Sequence, residues 1–92
     1  MKPSEIEMAI FLESLKAPQS RRIVDTLLEE QLTESQLIKK SKLSKRSIEL
    51  HVIPMIQAKL VIKKKKESSV YYALNRKLVK RNADWFAKFL ES

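Results

Sequence analysis

The chain has no glycine and no cysteine among its 92 residues, and only one histidine. Each absence excludes a class of chemistry. Without cysteine there are neither disulfides nor thiolate–zinc sites. Without glycine, phosphate-cradling loops and dinucleotide fingerprints are ruled out, because their backbones approach the ligand where only glycine fits. Turns then fall to Asn, Ser, Lys and Pro. A lone His51 defeats most metal and catalytic schemes, and the scattered Ser, Asp and Glu offer no nucleophile–base pair. The sequence therefore predicts no enzyme, no metal and no cofactor. No apolar run approaches the roughly 18 residues of a membrane span, and no signal-peptide pattern opens the chain. The expectation is a single soluble domain over residues 1–92, cytoplasmic and off the membrane.

Positive charge is what the chain has in excess, and it is unevenly placed. The formal net charge is +8. Residues 1–36 carry four Lys/Arg against seven Asp/Glu, whereas residues 37–82 carry fourteen against two. The last ten residues carry one against two. A basic middle between acidic ends defines a face, and polyanion binding is its natural reading. A solvated lysine-rich surface is the plainer alternative.

Hydrophobic periodicity and capping signals order the elements. Ser4 and Glu7 have capping-box spacing after Pro3 and open a helix to about Lys16. On its wheel Ile6, Ala9 and Ile10 fall on one side, with Met8, Phe11 and Leu15 roughly opposite, so this helix asks for two neighbours. Pro18 suits the first turn of a second helix, whose inner stripe is Ile23, Val24, Leu27 and Leu28. Gln31 to Thr33 reads as an extended link. Thr33 and Gln36 repeat the capping-box spacing and open a short third helix bearing Leu37 and Ile38. Ser41–Lys42–Leu43 is a turn, and Ser44 caps a fourth helix.

The period then changes. Leu60 to Lys65 reads as extended, Lys66 to Ser69 as a polar turn, and Val70 to Leu74 as a β-branched and aromatic strand. Asn75 caps a last helix to about Leu90, on which Leu78, Trp85 and Phe89 align beside Val79, Phe86 and Leu90. The fold class is mainly α with a small β-hairpin, in the order of a winged helix-turn-helix. Residues 34–58 form the helix-turn-helix and 60–75 the wing; residues 1–16 and 76–92 supply helices at both termini for a dimer interface.

From Leu15 to Asn75, about two thirds of the chain, the sequence resembles the ArsR-type winged-helix repressors. Ala17–Pro18 with Arg21–Arg22–Ile23 matches the family's opening to the second helix. Ser44, Ile48, His51 and Val52 match its recognition helix, while Leu60–Val61 and Val70 to Asn75 match the strands of its wing. The resemblance implies a dimeric, sequence-specific regulator of transcription that binds double-stranded DNA as a repressor. The departures are specific. Lys42 and Lys59 stand where the family usually has glycine, and Glu49 and Leu50 replace its serine and its polar or basic residue before the histidine. The third-helix cysteine motif has no counterpart in Leu32 to Gln36, and the last-helix histidines of the metal site are missing. No metal response is expected, and the sequence names no small-molecule effector.

Candidate DNA-binding residues are Lys42, Ser44, Lys45, Arg46, Ser47, Glu49 and Leu50 around the fourth helix, and Lys63, Lys64, Lys65, Lys66 and Ser68 in the wing. Arg46 suits guanine, because a guanidinium pairs bidentately with O6 and N7, while wing lysines suit phosphates. Candidate dimer residues are Ile6, Ile10, Phe11, Leu78, Trp85, Phe86 and Phe89. Taking Ile48 as reference, Val52 and Met55 fall within about 40° of it, while Arg46, Leu50, Ile53 and Gln57 lie opposite. Pro54 falls near that outer side, behind the N-terminal residues that do the reading, so a bend there is tolerable. Leu50 and Ile53 are apolar for a groove-facing stripe. An outer face that packs on another protein is therefore the alternative reading, with a basic RNA-binding role a third.

Overall fold

The computed structural model describes residues 2–91. Five helices and three short strands follow one another as α1 (Glu5–Lys16), α2 (Pro18–Glu29), β1 (Leu32–Thr33), α3 (Glu34–Ser41), α4 (Lys45–Gln57), β2 (Val61–Lys66), β3 (Ser69–Leu74) and α5 (Arg76–Glu91). Local chemistry sets most of these boundaries. The hydroxyls of Ser4, Thr33 and Ser44 each accept the backbone N–H three residues on, at 3.0, 3.2 and 3.1 Å. At Thr33 the box is reciprocal, since Gln36 Oε1 accepts the Thr33 N–H at 3.0 Å. Asn75 Oδ1 likewise accepts from Leu78 N–H at 3.3 Å to start α5.

The missing glycines leave a visible trace. Lys42, Lys59 and Glu67 adopt positive φ angles of 61°, 64° and 59°, the left-handed region that glycine occupies without strain. Lys42 and Lys59 are the two positions where the sequence departs from its look-alikes' glycines. At Lys59 the helix ends in a Schellman motif. Lys59 N–H donates to Ile56 O at 3.0 Å and Leu60 N–H to Met55 O at 2.8 Å, with Leu60 and Met55 both buried. Lys59→Gly should therefore stabilise the fold by about 0.5–1 kcal/mol, the relief of strain exceeding glycine's extra unfolded-state entropy. Thermal melting should move up by a few degrees; a lower melting temperature would contradict the strain assignment.

The sheet holds one strand more than the expected hairpin. β1 pairs antiparallel with β3, placing Leu32 opposite Tyr72 and Thr33 opposite Tyr71, and the strand order is β1-β3-β2. Two residues are too few to show a period-2 pattern, which is why this segment reads only as an extended link. The hairpin turn is also tighter than expected. Lys66 pairs with Ser69, so Glu67 and Ser68 alone make the turn. The charge of Lys66 does not end the strand because its side chain is exposed.

The core gathers one stripe from each element: Met8 and Phe11, Ile23 and Leu27, Leu32, Leu37, Ile48, Val52 and Met55, Leu60 and Val61, Tyr72 and Leu74, and Leu78. The expected inner stripe of α4 is fully realised. Pro54 is exposed, and α4 runs through it to Gln57. The intrahelical bond that proline removes lies on the solvent side, where the freed Leu50 carbonyl is open to hydration.

A polar lock joins α1 to α5. Glu7 is not turned back on its own cap. Its carboxylate instead accepts from Arg81 Nη2 at 2.8 Å and from Asn82 Nδ2 at 2.6 Å. Asn82 is completely buried and donates also to Leu78 O at 2.8 Å. Arg76, at the start of α5, donates to Leu28 O at 2.6 Å, supplying a cation to the carbonyl end of α2 that has no basic residue of its own.

Candidate nucleic-acid interface

α4 presents an outer face that the fold does not bury. Arg46, Leu50, Ile53 and Gln57 are all exposed along one stripe, opposite the buried Ile48, Val52 and Met55. Arg46 has no hydrogen-bond or ion-pair partner among the described residues, so its guanidinium fork is available. The neighbouring polar groups are engaged. Ser44 Oγ is the helix cap. Lys45 Nζ lies 3.8 Å from Glu34 and 3.9 Å from Glu49, which partly neutralises both carboxylates. These pairs are exposed and individually weak, so a phosphate can displace them. Half-buried His51 holds its Nδ1 2.8 Å from the Ser47 carbonyl, which accepts and so fixes the proton on Nδ1. That is a boundary histidine bonded to backbone, as its position near the core stripe suggests.

Glu34 also ties this helix to the wing. Its Oε2 accepts from the Tyr72 hydroxyl at 3.4 Å while its Oε1 faces Lys45. Burial, reinforced by the Glu34 carboxylate, raises the Tyr72 phenol above its ordinary value. The phenol therefore stays neutral and donating throughout the physiological range. Sequence reading misses this role of Glu34, since nothing in the spacing pairs residues 34 and 72.

In β2 the register assigns each lysine to a face. Lys63 and Lys65 lie opposite Tyr72 and Val70, on the face of buried Val61 and Leu74; Lys64 and Lys66 lie opposite Tyr71 and Ser69 on the other. All four are exposed, as is Ser68 in the turn. Lys42 is exposed in the left-handed turn before α4, Ser47 is half-buried, and Glu49 is exposed beside Lys45. Lys64 further shares a shallow groove of about 390 Å³ with Arg76 and Lys77 at the start of α5. Those two cations are absent from the sequence-based set, although the charge count alone signals them.

The residues expected at a dimer interface divide in two. Phe11 and Leu78 belong to the core of a single protomer, with 5% and 6% of their surfaces exposed. Ile10, Trp85 and Phe86 are half-buried, while Ile6 and Phe89 are 74% and 60% exposed. Trp85 and Phe86 each stack on Phe89, with ring centroids 5.9 and 6.4 Å away, and the Lys2 ammonium sits 5.7 Å from the Trp85 ring centre. The aromatic stripe of α5 thus runs from the core edge to open surface, ending in exposed Leu90.

The structure is similar to an ArsR-like transcriptional regulator from Rhodococcus sp. RHA1, with a TM-score of 0.81 at 18% identity over 90% of this chain and 78% of that one. The fold is the ArsR-type winged helix-turn-helix. The transcriptional repressor BigR from Xylella fastidiosa aligns at a TM-score of 0.68 and 18% identity, over 90% of this chain and 86% of that one. A homodimeric winged helix-turn-helix DNA-binding domain from Mycobacterium bovis aligns at 0.70 and 13% identity, over 92% and 80%. No family model matches the sequence, and no curated protein does. No helix among the described residues is long and apolar enough to cross a membrane. Nor does any group of three His, Cys, Asp or Glu among them stand ready to hold a metal ion.

Proposed function

We propose that the protein is a sequence-selective, double-stranded DNA-binding regulator of transcription that acts as a homodimer and responds to no metal. The observation that carries this reading is the free Arg46 at the start of the outer stripe of α4, beside a wing with four exposed lysines. In a helix-turn-helix the N-terminal residues of the second helix meet base edges, while wing cations neutralise phosphates. The repressor and DNA-binding domain among the similar folds support the same assignment. Regulators of this kind bind and release DNA without bond chemistry.

Arg46→Ala should cost about 1–3 kcal/mol on a duplex selected from random sequence, and should relax preference at one base position. Equal affinity of wild type and variant on that duplex would remove Arg46 from the reading. A second reading, a protein-interaction module, is favoured by the exposed Leu50 and Ile53. It requires that the folded protein show no sequence preference for duplex DNA.

The dimer proposal rests on the outer side of α1 and the distal half of α5. Ile6 at 74% and Leu90 at 68% exposure sit on helices whose other apolar faces are already buried, and such surface is unusual on monomers. Sedimentation at tens of micromolar should show a dimer for the wild type and a monomer for the Ile6→Glu, Leu90→Glu double variant. A wild-type monomer at that concentration would defeat the proposal. Both positions are exposed, so the variant should keep its fold.

A further inference from the structure

The outer stripe of α4 holds an unusual mixture. Its one free charged group is Arg46, and next along the stripe stand Leu50 and Ile53, 66% and 52% exposed. Of the other polar groups in the helix's first turns, Ser44 Oγ caps the helix and His51 Nδ1 faces the Ser47 carbonyl, while Lys45 and Glu49 stand beside the stripe as a weak, exposed pair. What this helix offers a major groove is therefore a guanidinium followed by branched aliphatic surface. In that groove the one apolar feature a base pair presents is the thymine C5 methyl.

We propose that Leu50, seconded by Ile53, determines specificity by packing on thymine methyl groups, so that the preferred half-site places thymine beside the guanine read by Arg46. This rests on the DNA-binding reading above and deepens it. Leu50 lies four residues beyond Arg46, roughly 6 Å along the helix, and base pairs rise by about 3.4 Å. The thymine stands about two base pairs from the guanine. Both aliphatic residues precede Pro54, and Leu50 lies within the first two turns of α4. Duplex DNA fits this stripe better than a protein partner does. Two side chains between Arg46 and Gln57 fall far short of the roughly 800 Å² each partner buries in a stable protein interface. The lysines on either side, Lys45 and those of the wing, suit a polyanion.

The test uses the full-length protein and a duplex selected by it from random-sequence DNA, made once with thymine and once with deoxyuridine throughout. Hydrogen-bonding edges are identical in the two, and only the methyls differ. Each covered methyl should contribute about fourfold in affinity, so a dimer covering one or two per half-site should prefer thymine by tenfold or more. Leu50→Ala with Ile53→Ala should abolish that preference while leaving the discrimination at guanine intact. Equal binding of both duplexes by wild type overturns the inference and leaves the DNA-binding reading standing. A thymine preference that survives in the double variant also overturns it, since the methyl effect then arises elsewhere. If the folded protein shows no sequence preference on any duplex, both fall, and the stripe belongs to another partner.

Discussion

Replacing Glu7 by alanine should destabilise the fold by on the order of 2–3 kcal/mol, although Glu7 lies in the first turn of the first helix. Its side chain is only 14% exposed and takes hydrogen bonds from both Arg81 and Asn82. Removing it strands a guanidinium and an amide N–H that the fold has already desolvated. Breaking a buried charge pair typically costs 3–5 kcal/mol. The figure here is smaller because the Arg81 side chain is 34% exposed and water screens part of its charge. The site has no slack, since Arg81 Nε and Asn82 Oδ1 are buried without a partner already. Exposed Glu5, two residues earlier, is the control: Glu5→Ala should stay within about 0.5 kcal/mol. Urea unfolding of the two variants checks this. Equal stability would mean that the α1–α5 lock is ornamental.

Alanine at both Lys64 and Lys65 should leave stability nearly untouched and cripple DNA affinity. The two side chains are exposed on opposite faces of β2, so neither supports the core. In a dimer the change removes up to four phosphate contacts, each worth about −0.9 in the logarithmic salt slope. The slope should become shallower by as much as about 3.6, with affinity near 0.1 M salt falling by roughly two to three orders of magnitude on every sequence alike. Single variants divide the effect between faces. If Lys64→Ala alone moves the slope, the phosphates run on the side of Tyr71 and the α5 groove; if Lys65→Ala alone does, they run on the side of Val70. A double variant with an unchanged slope but lost sequence preference would reverse the roles of wing and helix.

Much of this architecture is legible in one sequence because local signals and tertiary demands agree. The three Ser/Thr caps, the Asn75 cap, the 3.6-residue stripe of α4 and the β-branched wing strand each state in a few residues what the fold then uses. Legibility ends where a contact spans the chain. Ser4 and Glu7 have capping-box spacing, yet the carboxylate leaves the box for Arg81 and Asn82, because a guanidinium and a buried amide 74 and 75 residues away compete for it more strongly. Phe11 and Leu78 show the same limit from the other side. Helical periodicity says that they are apolar and aligned, but not whether the apolar side faces the protomer's own core or a second copy. Two-residue β1 is too short to announce itself. In the candidate interface the cationic positions are readable from charge and spacing, whereas the Glu34 bridge between Tyr72 and Lys45 needed three elements to be brought together.

The most direct test of the account is an anisotropy titration of the purified protein on its selected duplex and on a scrambled duplex of equal composition, from 50 to 200 mM salt. The DNA-binding reading expects the selected duplex to bind at least about a thousandfold tighter, and expects affinity for both to fall steeply as salt rises. Equal affinity for the two duplexes, or an affinity that salt does not move, would contradict it.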